Sequence, residues 1–154
     1  MADPVELVGG NANGTAAVLR FPVRVRQTRT WRLPATPLSV REMRRELRPF
    51  LAASGLPDDD LDDLVLAACE AAGNGIEHAR APTRPCIDVL AEIDGRRVRI
   101  VVRDHGRWDP ERHDAGNRGR GLHMMQKLAA VSLTSGPLGT SVTLRSRGDG
   151  RRDP

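Results

Sequence analysis

Apolar and polar positions follow two periods along the chain, and each period predicts one type of secondary structure. Between Cys86 and Asp104 apolar residues recur at every second position on both sides of Asp94-Gly95, which predicts a β-hairpin with these two residues as its turn. Shorter extended runs predict strands over 28–33, 131–134 and 140–147.

Three other segments carry apolar residues at helical spacing. We place the start of the first at Ser39, an N-cap with Glu42 at the capping-box distance, and its end before Gly55. The second covers 58–79 and opens with closely spaced aspartates, which suit the positive end of the helix dipole; a metal site is the alternative. The third covers about 122–129 and follows a loop over 105–121 that is rich in glycine and charge.

The length of 154 residues suits one domain with one hydrophobic core. We assign the domain to residues 28–147, a tail or an additional edge strand to 1–27, and a polar tail to 148–154. The amino terminus has no signal-peptide pattern, and no apolar run approaches the length of a membrane span. We therefore expect a soluble, cytoplasmic protein with no membrane partner.

The charge balance is weakly basic, with 24 Lys+Arg against 20 Asp+Glu. This excess permits a nucleic-acid partner, but only two Phe, two Trp and no Tyr are available to stack on bases, which argues against single-stranded nucleic acid. Part of the positive charge, Arg107, Arg112, Arg118 and Arg120, lies in the glycine-rich segment, where a triphosphate is a simpler partner than DNA, so we expect no direct nucleic-acid binding. Lys127 is the only lysine, and no glycine precedes it, which excludes a Walker A loop. The four histidines show no pattern typical of a zinc site.

Three polar residues of the second predicted helix, Glu70, Asn74 and His78, are each four positions apart and so line one stripe. Gly73 and Gly75 lie within this segment, where each glycine costs on the order of 1 kcal/mol relative to alanine. Two interpretations are open. Either a ligand or another backbone approaches a continuous helix closely, or the helix ends at Gly73 and a turn follows.

Asp104 ends an otherwise apolar row of the hairpin, and Thr140 ends the apolar row of the last strand in the same way. A carboxylate that points toward the core needs hydrogen-bond donors. These donors are either amides of the neighbouring loop or the exocyclic amine of a ligand, and the residues alone do not decide between them.

A run of glycines, Gly116, Gly119 and Gly121, precedes the third predicted helix, with Arg118 and Arg120 interleaved. Free amides at a helix N-terminus beside arginines suit a phosphate group. Most glycine-rich loops are merely flexible, so this signal is weak when it stands alone.

Taken together and in order, these residues resemble the motifs of the Bergerat-fold ATP-binding domains. The matching positions are Glu70-x-x-x-Asn74-x-x-x-His78, Asp104-x-Gly106, Gly119-x-Gly121 and Gly139-Thr140. The short chain and Leu33-Pro34-Ala35 before the first helix resemble the bacterial anti-sigma-factor serine kinases within that superfamily. The resemblance covers residues 28–147 and favours a continuous second helix.

The resemblance implies an α/β fold, a two-layer sandwich of a mixed, mostly antiparallel sheet with three helices on one face. It also implies ATP and Mg²⁺ as cofactors, with Asn74 as the metal ligand, Glu70 as the general base and Asp104 at the adenine amine. Other nucleotide contacts would come from His78, Gly106, Gly119, Gly121 and Thr140. Arg118 and Arg120 as charge clamps are our own addition.

The same resemblance implies an ATP-dependent serine/threonine kinase. Its partners would be a sigma factor and an anti-anti-sigma factor, the latter phosphorylated on serine, and homodimers are common in the family. Trp108 stands where the family often has a second glycine, which leaves open a non-catalytic nucleotide-binding module that sequesters a protein partner.

Overall fold

The computed structural model describes residues 26–107 and 118–147. Within these ranges the strands are β1 (Arg26–Pro34), β2 (Cys86–Asp94), β3 (Arg97–Arg103), β4 (Ala130–Gly136) and β5 (Gly139–Arg145). The α-helices are α1 (Pro37–Leu51), α2 (Asp58–His78) and α3 (Arg118–Leu128), and a short 3₁₀ turn covers Ala52–Ser54. None of the helices in the described ranges is long and apolar enough to cross a membrane.

All strand pairings of the described sheet are antiparallel, in the order β1-β2-β3-β5-β4. Apolar and polar side chains alternate along the strands, so one face of this sheet is apolar and is buried beneath the helices. α2 lies at the centre of the helical layer, where it packs against α1 and α3 and contacts β2, β3 and β5. The sheet residues of the core are Ile87, Val89, Ala91, Ile93, Val98, Ile100, Val102, Val142 and Leu144. The expected two-layer α/β sandwich is confirmed.

Two predicted element starts are wrong. α1 begins at Pro37 with Thr36 as its N-cap, because a proline at N1 has its φ already set for the helix and needs no amide partner. Ser39 is instead buried inside the first turn, with its hydroxyl oxygen 3.2 Å from Thr36 Oγ1. α3 begins at Arg118, so Gly119 and Gly121 lie in its first turn rather than before it.

The hairpin turn also differs from the prediction by one residue. Asp94 pairs with Arg97, so the turn consists of Gly95 and Arg96, and Gly95 takes the positive φ of +59° that the turn requires. The structure places Arg26 and Gln27 in β1, whereas residues 1–25 of the expected tail, and the whole of 148–154, lie outside the described residues.

Candidate functional site

α2 runs unbroken through Gly73 and Gly75 to His78, so the interpretation as a continuous helix is correct. The packing around Gly75 explains why this position of the helix is a glycine. A Cβ atom built there would lie 3.1 Å from Asp104 Cβ and 3.2 Å from Ile87 Cδ1. The end of the sheet therefore packs so closely on α2 that a side chain at position 75 would require Asp104 or Ile87 to move by a few tenths of an ångström. Gly73 has open space around it, and the structure gives no packing reason for that glycine.

Glu70 and Asn74 meet the first turn of α3. A Cβ atom built on Gly121 would lie 2.5 Å from Glu70 Oε1 and 3.1 Å from Asn74 Nδ2. Both side chains are therefore half-buried beneath α3 rather than spread over a free outer face, as the stripe alone suggested. The glycine at 121 makes the room for them, so the polar stripe of α2 and the start of α3 form one site.

His78 lies one turn farther along, at the end of α2, where its Nε2 is 3.8 Å from Glu77 Oε2. It shares the stripe with Glu70 and Asn74 by helix geometry.

The first turn of α3 carries no acidic residue. Its amides have no partner within the helix, and the helix dipole adds a partial positive charge at this end. Arg120 is exposed in this turn. Arg118 and Gly119 belong to the helix by their backbone, while the side chain of Arg118 and residues 108–117, with Trp108, lie outside the described residues. The arrangement suits an anionic ligand group next to Glu70 and Asn74.

Asp104 directly follows β3 and is half-buried. Its Oδ1 accepts hydrogen bonds from Gly106 N (3.0 Å) and Thr140 N (3.2 Å). Burial raises the pKa of this carboxyl group, against the opposing effect of the two amides. Among the described residues no donor contacts Oδ2, which points toward α2, 3.5 Å from the Cβ position of Gly75. Oδ1 is thus bound by backbone amides, as one of the two interpretations expected. Oδ2 has room for the amine of a ligand.

Two glycines fix the backbone around Asp104. A Cβ atom on Gly106 would collide with Ala79 at the end of α2, so this glycine is required by the chain's own packing in addition to any ligand. Gly139 has a φ of +142°, and a Cβ atom there would collide with the carbonyl oxygen of Asp104. Gly139 was expected in a turn and in the Gly139-Thr140 pair, but its close approach to Asp104 depends on tertiary packing.

A cleft of about 180 Å³ opens beside Asp104. Its walls include Gly75, Ile76, Ala79, Ile87, Asp104 and His105. Nucleotide-sized pockets are usually larger than ~300 Å³, so this cleft suits one flat ring system and not a whole nucleotide. The cleft combines apolar walls such as Ile76 and Ile87 with polar groups of Arg84, Asp104 and His105. A carboxylate oxygen among apolar walls can accept a hydrogen bond from the exocyclic amine of an aminopurine. The place that suits an anionic group lies separately, where Glu70 and Asn74 meet the first turn of α3.

Next to this cleft, His105 is almost fully buried and its Nε2 donates to Asp88 Oδ2 at 2.8 Å. The carbonyl oxygen of His105 also accepts a hydrogen bond from Thr83 N at 2.9 Å. This pairing of β2 with the residue after Asp104 was not predicted from the sequence, because it depends on the register of β2 and β3.

The aspartates at the start of α2 pair with α1. Arg48 donates to Asp58 Oδ1 at 2.9 Å and to Asp62 Oδ1 at 2.8 Å. These contacts support a structural role for the run, in line with the helix-dipole interpretation.

Comparisons with known proteins agree with this geometry. Residues 33–146 match the family described as histidine kinase-like ATPase domain. The crystal structure of the RsbU and RsbW domains of Rv1364c from Mycobacterium tuberculosis is similar, with 31% identity and a TM-score of 0.64 over 79% of this chain. The match covers 32% of that protein, so this chain corresponds to about a third of its length.

A second solved structure, the histidine kinase domain of the blue-light activated histidine kinase EL346 from Erythrobacter litoralis, shares the fold. It has 20% identity and a TM-score of 0.50, over 73% of this chain and 60% of that one. The family match, which covers most of the described domain, implies that the chain binds ATP. With the site at α2, Asp104 and α3 in the positions described, this chain belongs to the histidine kinase-like ATPase domain family.

Proposed function

We propose that the chain is an ATP-dependent protein serine/threonine kinase and anti-sigma factor. In this proposal it binds a sigma factor and phosphorylates a serine of an anti-anti-sigma antagonist, as a cytoplasmic partner switch. The observation that carries the kinase function is the convergence of Glu70 and Asn74 on Gly121 at the start of α3. The similarity to a protein with an RsbW domain supports the partner classes.

Phosphoryl transfer needs little covalent chemistry from the protein, mainly positioning and charge stabilisation. The adenine amine donates to Asp104 Oδ2 in the cleft, while the amides of the first turn of α3 hold the phosphates, with Arg118 and Arg120 adding positive charge. The shape of these contacts depends on Gly106, Gly119 and Thr140. His78 lies beside the ribose and phosphates of the bound ATP in this proposal. The orientation of Asp104 by Gly106 N and Thr140 N supports this placement.

In the reaction, the serine oxygen bonds to the γ-phosphorus as the bond from phosphorus to the β,γ-bridging oxygen breaks. Glu70 takes the hydroxyl proton, and the products are phosphoserine and ADP. Asn74 would hold Mg²⁺ through its side-chain oxygen together with the phosphate oxygens, an oxygen donor set of the kind Mg²⁺ prefers, and its position next to Glu70 at the first turn of α3 supports this fit. When bound, Mg²⁺ neutralises negative charge on the phosphates.

The test is incubation of the purified chain with γ-labelled ATP and candidate anti-anti-sigma proteins, with phosphoserine identified by mass spectrometry. Glu70→Gln removes the base and should lower the transfer rate by about 100-fold or more, with ATP affinity retained. Glu77→Gln is the matched control, because Glu77 lies on the same helix and its side chain is 73% exposed.

Phosphoserine formation that is equal in the wild type and Glu70→Gln contradicts the role of Glu70. ATP binding without phosphorylation of any antagonist, together with retained control of the sigma factor, supports the non-catalytic module instead. We also propose that the chain forms a homodimer. Sedimentation equilibrium measures the molecular mass in solution and so tests this.

A further inference from the structure

A mixed set of metal-ligand side chains lies at the end of the sheet, outside the groups assigned to ATP. Cys86, Asp88 and His105 each offer one ligand atom, and these atoms all lie within 4.8 Å of one another. Alternate residues of a strand project to the same side, so β2 presents Cys86 and Asp88 together. His105, in the turn after β3, completes the set because β2 and β3 are paired in register at Asp88 and Arg103.

We propose that Cys86, Asp88 and His105 form a binding site for Zn²⁺. A thiolate, an imidazole and a carboxylate are the three side-chain types that Zn²⁺ takes, at about 2.0–2.3 Å from each donor. Such distances put the donors of a tetrahedral site about 3.4–3.7 Å apart, so the present spread requires only small side-chain rotations.

The charge balance favours this ion. A thiolate and a carboxylate carry two negative charges against the two positive charges of Zn²⁺, and neutral His105 adds none. The soft thiolate disfavours Mg²⁺ and Ca²⁺, which prefer oxygen ligands. Three protein ligands leave a fourth position for water, as in open zinc sites rather than closed structural ones.

An entry path exists, because Cys86 and His105 both line the cleft beside Asp104. His105 is 8% exposed and its Nε2 donates to Asp88 Oδ2, so zinc binding must shift the imidazole proton to the other ring nitrogen or release it. Arg32 currently bonds both oxygens of Asp88, at 2.7 and 3.3 Å. Its side chain is 63% exposed, and an exposed ion pair is readily exchanged for water.

The chain contains its own control for the thiol. Its two cysteines are both free, and Cys69 lies on α2, away from the set. Burial raises the pKa of the Cys69 thiol, which disfavours the thiolate needed for a metal bond.

The experiment uses the full chain, reduced and freed of metal, without nucleotide, and titrates it with Co²⁺ and with Zn²⁺. We expect one equivalent of metal, and with Co²⁺ a thiolate-to-metal charge-transfer band. Cys69→Ser should keep this band, and Cys86→Ser should lose it. Asp88→Asn should weaken zinc binding by at least about tenfold, since changes to outer-shell partners alone cost this much. Arg32→Ala should tighten it several-fold by removing the competing cation.

Absence of one-equivalent Zn²⁺ binding overturns the proposal, and so does a charge-transfer band that survives Cys86→Ser or disappears in Cys69→Ser. Circular dichroism checks the fold of each variant. If Cys86→Ser does not fold, the zinc affinity of Asp88→Asn is the deciding measurement. An affinity equal to that of the wild type in this variant also overturns the proposal. Since no ATP is present, failure here leaves the kinase proposal untouched, and failure of the kinase assay leaves the zinc site untouched.

Discussion

Asp104 and Thr140 are hydrogen-bonded to each other in both directions. The amide of Asp104 donates to the carbonyl oxygen of Thr140 at 3.0 Å, and the amide of Thr140 donates to Asp104 Oδ1 at 3.2 Å. The carboxyl group is thus held by the backbone of β5, the second strand after α3 in the chain. Its other oxygen, Oδ2, lies 3.5 Å from the Cβ position of Gly75 on α2.

Asp104→Asn should weaken ATP binding by about 10- to 100-fold, the cost of an unsatisfied buried polar group. If the amide oxygen keeps the hydrogen bonds from Gly106 and Thr140, the amide nitrogen faces the adenine amine, and two donors then oppose each other. Isothermal titration calorimetry with ATP measures the loss. Wild-type affinity in a folded Asp104→Asn protein would remove Asp104 from the adenine site.

Gly139→Ala should destabilise the fold by about 2 kcal/mol or more and weaken ATP binding with it. The positive φ disfavours any side chain, and the new methyl group would collide with the carbonyl oxygen of Asp104. Gly136→Ala is the matched control, because it lies at the other side of the same turn and has open space around it. Urea unfolding gives both free energies, and equal values would contradict the packing argument.

Gly121→Ala should lower the phosphoryl-transfer rate by about 100-fold, because a displacement of the order of 1 Å at a reacting group costs that much. The new methyl group would lie 2.5 Å from Glu70 Oε1 and would push the carboxylate aside. The free energy of unfolding should change little, because Glu70 can rotate and alanine favours the helix.

Gly73→Ala serves as the control for Gly121→Ala. It should stabilise α2 by about 0.5–1 kcal/mol and leave transfer intact, since nothing lies within 4 Å of its new methyl group. An equal loss of activity in both variants would show that helix flexibility matters, and not the approach of Glu70 to α3.

The contribution of Asp88 to stability should depend on pH. The hydrogen bond from Arg32, with a smaller effect of His105, holds the pKa of Asp88 below its ordinary value of 3.8. A lowered pKa in the folded state means that the ionised form is stabilised by folding. This stabilisation is fully present above pH 3.8 and is lost as the pH falls through the lower, folded-state value.

The free energies of unfolding of the wild type and Asp88→Asn, measured across this range, should therefore differ at neutral pH and converge in acid. Arg32→Ala should behave like Asp88→Asn, because Arg32 is the main cause of the shift. A difference from the wild type that stays constant down to the acid end would contradict the ion pair.

The apolar face of α2 and the two strands of the hairpin were predictable because local periodicity specifies them, whereas periodicity left open whether α2 continues past Gly73. Leu61, Leu64 and Ala68 recur at helical spacing, whereas Val98, Ile100 and Val102 alternate. The starts of α1 and α3 were not predicted correctly. Pro37 supplies a helical φ without a capping side chain, and the glycines at 119 and 121 count as loop residues by propensity alone, although tertiary packing of α3 on α2 keeps them helical.

Near neighbours in the chain were enough to predict which elements form and to recognise the ordered residues that resemble a nucleotide site. The tertiary structure was needed to show which atoms meet. It set Glu70 against Gly121, divided the two oxygens of Asp104 between the loop amides and the cleft, and brought Cys86 and Asp88 to His105. These contacts depend on strand register and on how closely two helices approach, which periodicity does not encode.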